Sequence, residues 1–151
     1  MELRKLRTED YPVVDNCMQQ LHNLHVQGRP DLFVPAAHPY SEEAYGNILT
    51  DGCHITVAAV DGEELAGFCI ATIRSNMVEG EPVAYIDDMF VRESFRQQGI
   101  ATRLFAELER RARKQGIVRI DLMVWEFNGA ALAFYESLGM TAQRYILEKK
   151  L

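Results

Sequence analysis

At Arg96-Gln97-Gln98-Gly99-Ile100-Ala101-Thr102 the chain sets a permanent cation, two amides and a glycine where an apolar strand gives way to a helix. A helix N-terminus carries unpaired N–H groups and a partial positive charge, so it holds anions, phosphate in particular. Gly99 lets a ligand approach the backbone closely, the small Ala101 does the same one step later, and Arg96 adds fixed charge. The pattern predicts a pyrophosphate cradle with donors from Gln97 to Thr102. It is neither G-x-x-x-x-G-K-[ST] nor G-x-G-x-x-G, so the ATP and dinucleotide readings find no support.

Other groups able to do chemistry lie on both sides of this turn. Asp87 and Asp88 sit in the apolar strand YIDDMFV, where an unpaired carboxylate is costly. Strand alternation sends them to opposite faces, so only one would reach a given side unless a bulge changes the parity. Asn128, Ala131 and Tyr135 have helical spacing and share one face. His22-x-x-His25 lacks a third ligand at metal-site spacing and reads as a pair of helix-surface groups. Trp125 and Phe127 fit a pocket wall or the core equally well. Cys17, Cys53 and Cys69, odd in number and without paired spacing, read as reduced thiols.

The elements that must position these groups follow from periodicity and punctuation. A first strand covers 1–6, and Thr8 is placed as N-cap of a helix running to about His25, with Leu21 and Leu24 within it. GRPDLFVPAAHPY, with three prolines, is a loop, and Ser41 caps a short helix to Leu49. Strands at 54–60 and 64–74 meet at Asp61-Gly62, a hairpin signal, and a turn at 75–81 leads to a strand at 83–91. The next helix, 98–115, carries the apolar stripe Ile100, Ala101, Leu104, Phe105, Leu108 and Ala112, with Arg103, Glu107, Arg111 and Lys114 facing away and Gly116 as the residue after its C-cap. A strand at 117–124 should bury Val118, Ile120, Leu122 and Val124 on one face. Asn128 caps a helix to Leu138, ended by Gly139, and a last strand covers 140–149. Helices packed on a sheet give a mixed α/β architecture.

The chain has 151 residues, 48% hydrophobic and 25% charged, enough for one domain with a sizeable core. No apolar run approaches the ~20 residues that span a bilayer. MELRKLRTEDY lacks the apolar segment of a signal peptide, so a cytoplasmic protein is expected. The net charge of −6 falls on the first 75 residues, with 5 basic against 11 acidic, while 92–119 holds 8 basic against 3 acidic. That polarity disfavours nucleic acid, fits a small polyanion at the basic segment, and predicts a cationic partner for the acidic half.

V-x-x-x-x-R-x-x-G-x-A from Val91 to Ala101 and N-x-x-A-x-x-x-Y-x-x-x-G from Asn128 to Gly139 together resemble the GNAT superfamily of acyl-CoA-dependent N-acetyltransferases. The opening R-x-x-D at Arg7 and Asp10 and the ending YESLGM extend the resemblance over nearly the whole chain, with Met140 where the family usually has Phe. It implies one domain over 1–151 with a central, mostly antiparallel sheet, a splayed parallel strand pair (83–91 and 117–124) and helices on both faces. It implies acetyl-CoA as co-substrate and no metal. Arg96, Gln97, Gln98, Gly99, Ile100, Ala101 and Thr102 would hold the coenzyme pyrophosphate. Main-chain groups of Met89, Phe90 and Val91 would pair with the pantetheine arm, beside Asn128, Ala131 and Phe134.

Acetyl transfer to an amine needs a neutral nucleophile, a polarised thioester carbonyl and a proton for the departing thiolate. The resemblance gives Tyr135 the role of general acid. For the base, Asp87 is placed first and Asp88 next, with a chain of waters as the other route. The acceptor amine would enter from the opposite side, among His22, His25, Asp31, Phe33, Tyr40 and Trp125. A polyamine, an aminoglycoside-like compound or a peptide amine meets the charge argument. The same fold with a longer acyl-CoA, and a catalytically silent acyl-CoA-binding module, stand as alternatives. A homodimer is common in the family.

Overall fold

The computed structural model describes residues 1–75 and 80–151; the expected turn at 75–81 lies largely outside them. Five strands form one sheet in sequence order: β1 (Glu2–Arg4), β2 (His54–Asp61), β3 (Glu64–Ser75), β4 (Pro82–Val91) and β5 (Ile120–Leu122). The first four are antiparallel, and β5 lies parallel to β4. Parallel neighbours need a crossover, supplied here by α3 (Ile100–Lys114). The hairpin between β2 and β3 turns at Gly62, whose φ of 60° only glycine adopts without strain. β2 and β3 are buried almost end to end because both sheet faces are covered. One face packs Val57, Ala59, Cys69, Ala71 and Ile86 against Leu104, Phe105 and Leu108 of α3. The other packs Ala58, Phe68, Ile70 and Phe90 against α1 (Tyr11–Gly28) and α2 (Glu42–Thr50).

Local signals set several boundaries correctly. Ser41 caps α2 by accepting the Ala44 N–H at 3.1 Å, and Asn128 caps α4 (Gly129–Ser137) by accepting the Ala131 N–H at 3.2 Å. Gly116 and Gly139 take φ values of 75° and 87° where the chain leaves α3 and α4.

Other expectations give way to tertiary contacts. Thr8 does not cap α1, because 8–10 form a 3-10 turn and α1 starts at Tyr11. Asp10 organises this corner instead, accepting the Arg7 N–H at 2.8 Å and two bonds from the Arg4 guanidinium at 2.7 and 2.8 Å. The R-x-x-D signature thus uses the backbone of Arg7, and the cation is Arg4. Burial pushes the Asp10 carboxyl up, but those bonds outweigh it and hold the acid below its usual range. Glu107 and Arg111 do not face away; they pair at 2.7 Å, and Arg111 donates to the Thr56 carbonyl at 2.6 Å. α1 continues to Gly28, past the expected end at His25.

The C-terminal part differs most. β5 is confined to Ile120–Leu122, and Ile117 enters the core while Val118 is 79% exposed. The strand expected at 140–149 does not form. From Thr141 onward the chain is exposed and carries no strand pairing, with Tyr145, Ile146 and Leu147 at 84%, 80% and 92% exposure. A bidentate ion pair from Arg29 to Glu148, at 2.7 and 2.8 Å, ties the segment down. Among the described residues no helix is long and apolar enough to cross a membrane.

Candidate active site

The sheet opens where β4 and β5 part. β5 pairs with β4 only from Ala84 to Ile86, while β3 pairs with it as far as Val91. Along 87–91, therefore, one edge of β4 is closed by β3 and the other meets no strand among the described residues. Met89, Phe90 and Val91 lie on that stretch. Tight pairing on the β3 side relies on Gly67, where a Cβ would sit 2.7 Å from the Phe90 carbonyl oxygen. Gly67 was not singled out from the sequence, although a glycine inside a strand is the usual sign of such close approach.

Beyond Val91 the chain makes a 3-10 turn over Glu93–Phe95 and then the polar turn that opens α3. Gln97 and Gly99 both have positive φ, 61° and 73°, a backbone form that turns successive N–H groups to one side as an anion-binding nest. Gly99 offers α3 no side-chain cap, and among the described residues no hydrogen bond is made by the N–H groups of Ile100, Ala101 and Thr102. Arg96 folds back from the nest: its Nε donates to the Val91 carbonyl at 3.1 Å, and its guanidinium lies 5.7 Å from the Phe90 ring centre. Gln98 donates to the Ser94 carbonyl at 3.4 Å.

A bulge settles the parity of the carboxylates. Ile70 pairs with Asp88 and Ala71 with Ile86, so Asp87 is the extra residue. Ile86 and Met89 face α3, while Asp87 bonds the Thr72 hydroxyl and Asp88 bonds Tyr40, both on the side of α1 and α2. The two acids share one face yet differ in their partners. Asp87 also takes the Arg74 guanidinium at 3.0 Å, which stacks 3.6 Å above the Tyr85 ring. Asp88 has no cationic partner among the described residues and accepts a 2.5 Å bond from the Tyr40 hydroxyl. Burial pushes its carboxyl up to about 6; the Tyr40 bond works against this, and the Asp87 charge adds to it.

Across the gap, α4 brings up Tyr135. Its ring packs 6.4 Å from Phe105 and 5.2 Å from Phe134. Burial, followed by the nearby Cys69 and Asp88, pushes its phenol well above the ordinary tyrosine range, so it stays protonated. Ala131 is held through its N–H by Asn128 in the first turn of α4.

Of the expected acceptor residues, His22, His25, Phe33 and Trp125 come together as an aromatic wall, while Tyr40 bonds Asp88. Phe33 stands 5.2 Å from His25 and 5.3 Å from Trp125, which stacks on Phe127 at 6.1 Å. His22 meets the Val34 carbonyl at 2.7 Å, and burial holds His25 below the usual histidine range. Asp31 is already neutralised: the Arg29 bond holds its carboxyl down to about 2, and Arg29 itself lies 6.0 Å from the Trp125 ring. Gly28 is a further member of the wall, since a Cβ there would fall 2.4 Å from the Phe127 ring. Gly28→Ala is expected to displace that ring and with it Trp125, lowering stability by about 1–3 kcal/mol. Because Trp125 is the sole tryptophan, a shift of its emission beside a lowered thermal midpoint checks this.

The parallel strand pair thus opens beside the turn at 97–102, with Asp88 on one flank and the protonated Tyr135 on the other. The chain matches the Acetyltransferase (GNAT) family over residues 18–140 and belongs to it. It is 31% identical over 139 residues to the aminoglycoside N(6')-acetyltransferase type 1 of Salmonella enteritidis, covering 88% of this chain and 95% of that protein. It is 32% identical over 98 residues, 65% of its length, to the thialysine N-epsilon-acetyltransferase of Caenorhabditis elegans, of which it spans 60%. The structure of AAC(6')-Iy in complex with the bisubstrate analog CoA-S-monomethyl-acetylneamine shares its fold, with a TM-score of 0.77 at 22% identity over 99% of this chain and 97% of that one.

Proposed function

We propose that residues 1–151 form a single cytoplasmic catalytic domain that transfers an acetyl group from acetyl-CoA to a primary amine of a cationic acceptor, by direct attack in a ternary complex. The observation that carries this reading is the edge of β4 that meets no strand along 87–91 among the described residues, set between the nest at 97–102 and the pair Asp88 and Tyr135. The nest takes the coenzyme pyrophosphate, and main-chain groups of Met89, Phe90 and Val91 take the pantetheine arm. Asn128, Ala131 and Phe134 flank that arm. The acceptor nitrogen attacks the thioester carbonyl carbon, an N–H proton passes to Asp88, the C–S bond breaks, and the thiolate takes the Tyr135 proton. Asp88 is preferred to Asp87 as base because Arg74 neutralises the latter.

The relatives named for aminoglycoside and thialysine acetylation act on amines of cationic compounds, in keeping with the acidic excess of the first 75 residues. His22, His25, Phe33 and Trp125 form the acceptor wall, Tyr40 meets the acceptor beside Asp88, and Asp31 acts there through Arg29. A homodimer belongs to the same reading. The test is free-thiol release from acetyl-CoA across polyamines, aminoglycosides and peptide amines, with CoA binding followed by calorimetry. Release with cationic amines is expected. CoA binding without release would leave a silent coenzyme-binding module, release only from longer acyl-CoAs would change the donor, and absence of CoA binding would overturn the reading.

A further inference from the structure

Tyr40 joins two parts of the molecule that are far apart in sequence. It is the last residue of the proline-rich loop and directly precedes Ser41, the N-cap of α2. Its backbone is held from behind by the Tyr11 hydroxyl, which donates to the Tyr40 carbonyl at 3.0 Å. Its own hydroxyl reaches across to β4 and donates to Asp88 Oδ2 at 2.5 Å, a contact spanning 48 residues. The Oδ2 atom is thereby engaged, and among the described residues Oδ1 takes no hydrogen bond.

We propose that Tyr40 is a positioning residue for the transfer reaction: its hydroxyl fixes Asp88 with Oδ1 directed to the incoming amine and keeps that carboxylate ionised when the acceptor arrives. The inference rests on the assignment of Asp88 as base. An apolar setting favours the neutral acid, and a donor bond favours the anion. Tyr40 supplies the only hydrogen bond recorded to this carboxylate among the described residues. The other groups around it add no cation. Asp87 on β4 is of like charge and is tied to Arg74 and Thr72. Cys69 on β3 is a buried thiol pushed up by burial, and Tyr135 on α4 is a protonated phenol. On α1 the residues of this layer are Val14, Cys17 and Met18, the Cys17 thiol again pushed up by burial. Tyr40 itself is raised by burial and by the Asp88 charge, so it remains a donor throughout the neutral range.

The test reads Asp88 directly in the full chain. Protein labelled with 13C at the aspartate carboxyl carbons is titrated by NMR, with the Asp88 resonance assigned by its loss in Asp88→Asn. The midpoint expected for the native chain is about 6. Tyr40→Phe should move it upward by about one pH unit, since the donor is lost while the burial stays. Should Tyr40→Phe fail to fold, 3-fluorotyrosine introduced at position 40 alone, a stronger donor of nearly the same shape, should move the midpoint downward. A midpoint that stays put with either change overturns the role of Tyr40. The acid limb of kcat/KM tests the underlying assignment separately. If the Asp88 midpoint moves with Tyr40→Phe and the limb does not follow, Asp88 is not the base although Tyr40 sets its charge.

Discussion

Tyr135→Phe should lower kcat by about two to four orders of magnitude while the dissociation constant for CoA stays within about twofold. The substitution removes one oxygen and leaves the ring. Packing against Phe105 and Phe134 depends on that ring, so α4 and the capping bond between Asn128 and Ala131 should be retained. The main-chain nest at 97–102 lies at the start of α3 and does not include Tyr135. A general acid therefore predicts loss confined to turnover: the thiolate leaves without a proton, and coenzyme binding is untouched. Burial and the nearby Asp88 hold the phenol in its protonated form well past neutrality, so the native enzyme should show no loss of the acid until strongly alkaline pH. Steady-state kinetics beside calorimetric titration with CoA checks the separation, and unchanged turnover would remove the assignment.

The elements legible in the sequence are those whose signals are local. Asp61-Gly62 between apolar runs marks its hairpin, Ser41 and Asn128 mark helix starts, and Gly116 and Gly139 mark helix ends, because each acts on its own turn of chain. The turn at 96–102 belongs to the same class: a glycine before an apolar helical stripe states its own geometry. What escaped depends on partners distant in sequence. Alternation alone sends Asp87 and Asp88 apart, and only the register against Ile70 and Ala71 shows that Asp87 is an extra residue. Nothing near Tyr40 announces its bond to Asp88, and nothing near Arg29 announces Glu148, 119 residues away. The segment 140–149 reads as a strand from the sequence, yet from Thr141 onward it pairs with no described strand, because pairing partners and not the segment alone decide a strand. Thr8 was a sound cap by type, but Asp10 holds both Arg4 and the Arg7 N–H and so moves the helix start.

Asp88→Asn should separate activity from stability, and in opposite directions. As the base, Asp88 must be ionised, so native kcat/KM should fall as pH drops through about 6, and the variant should lose about two to four orders of magnitude near neutrality together with that acid limb. For stability the sign runs the other way. The carboxyl is raised in the folded protein above its ordinary value of 3.8, so between the two values the native state binds more protons than the unfolded chain. The Asp88 contribution to native stability then declines as pH rises from about 4 to 6 and is level above that. An uncharged Asn, still able to accept the Tyr40 hydroxyl bond, escapes the penalty of a buried charge beside Asp87. The variant should gain on the order of 2 kcal/mol relative to the native chain at pH 7, and the gain should vanish below about pH 4. Denaturant melts of both proteins across that range measure the difference. A variant that is inactive and also less stable at pH 7 would point to a structural carboxylate; one that is inactive and more stable shows a charge kept in place against the folding energy because the reaction needs it.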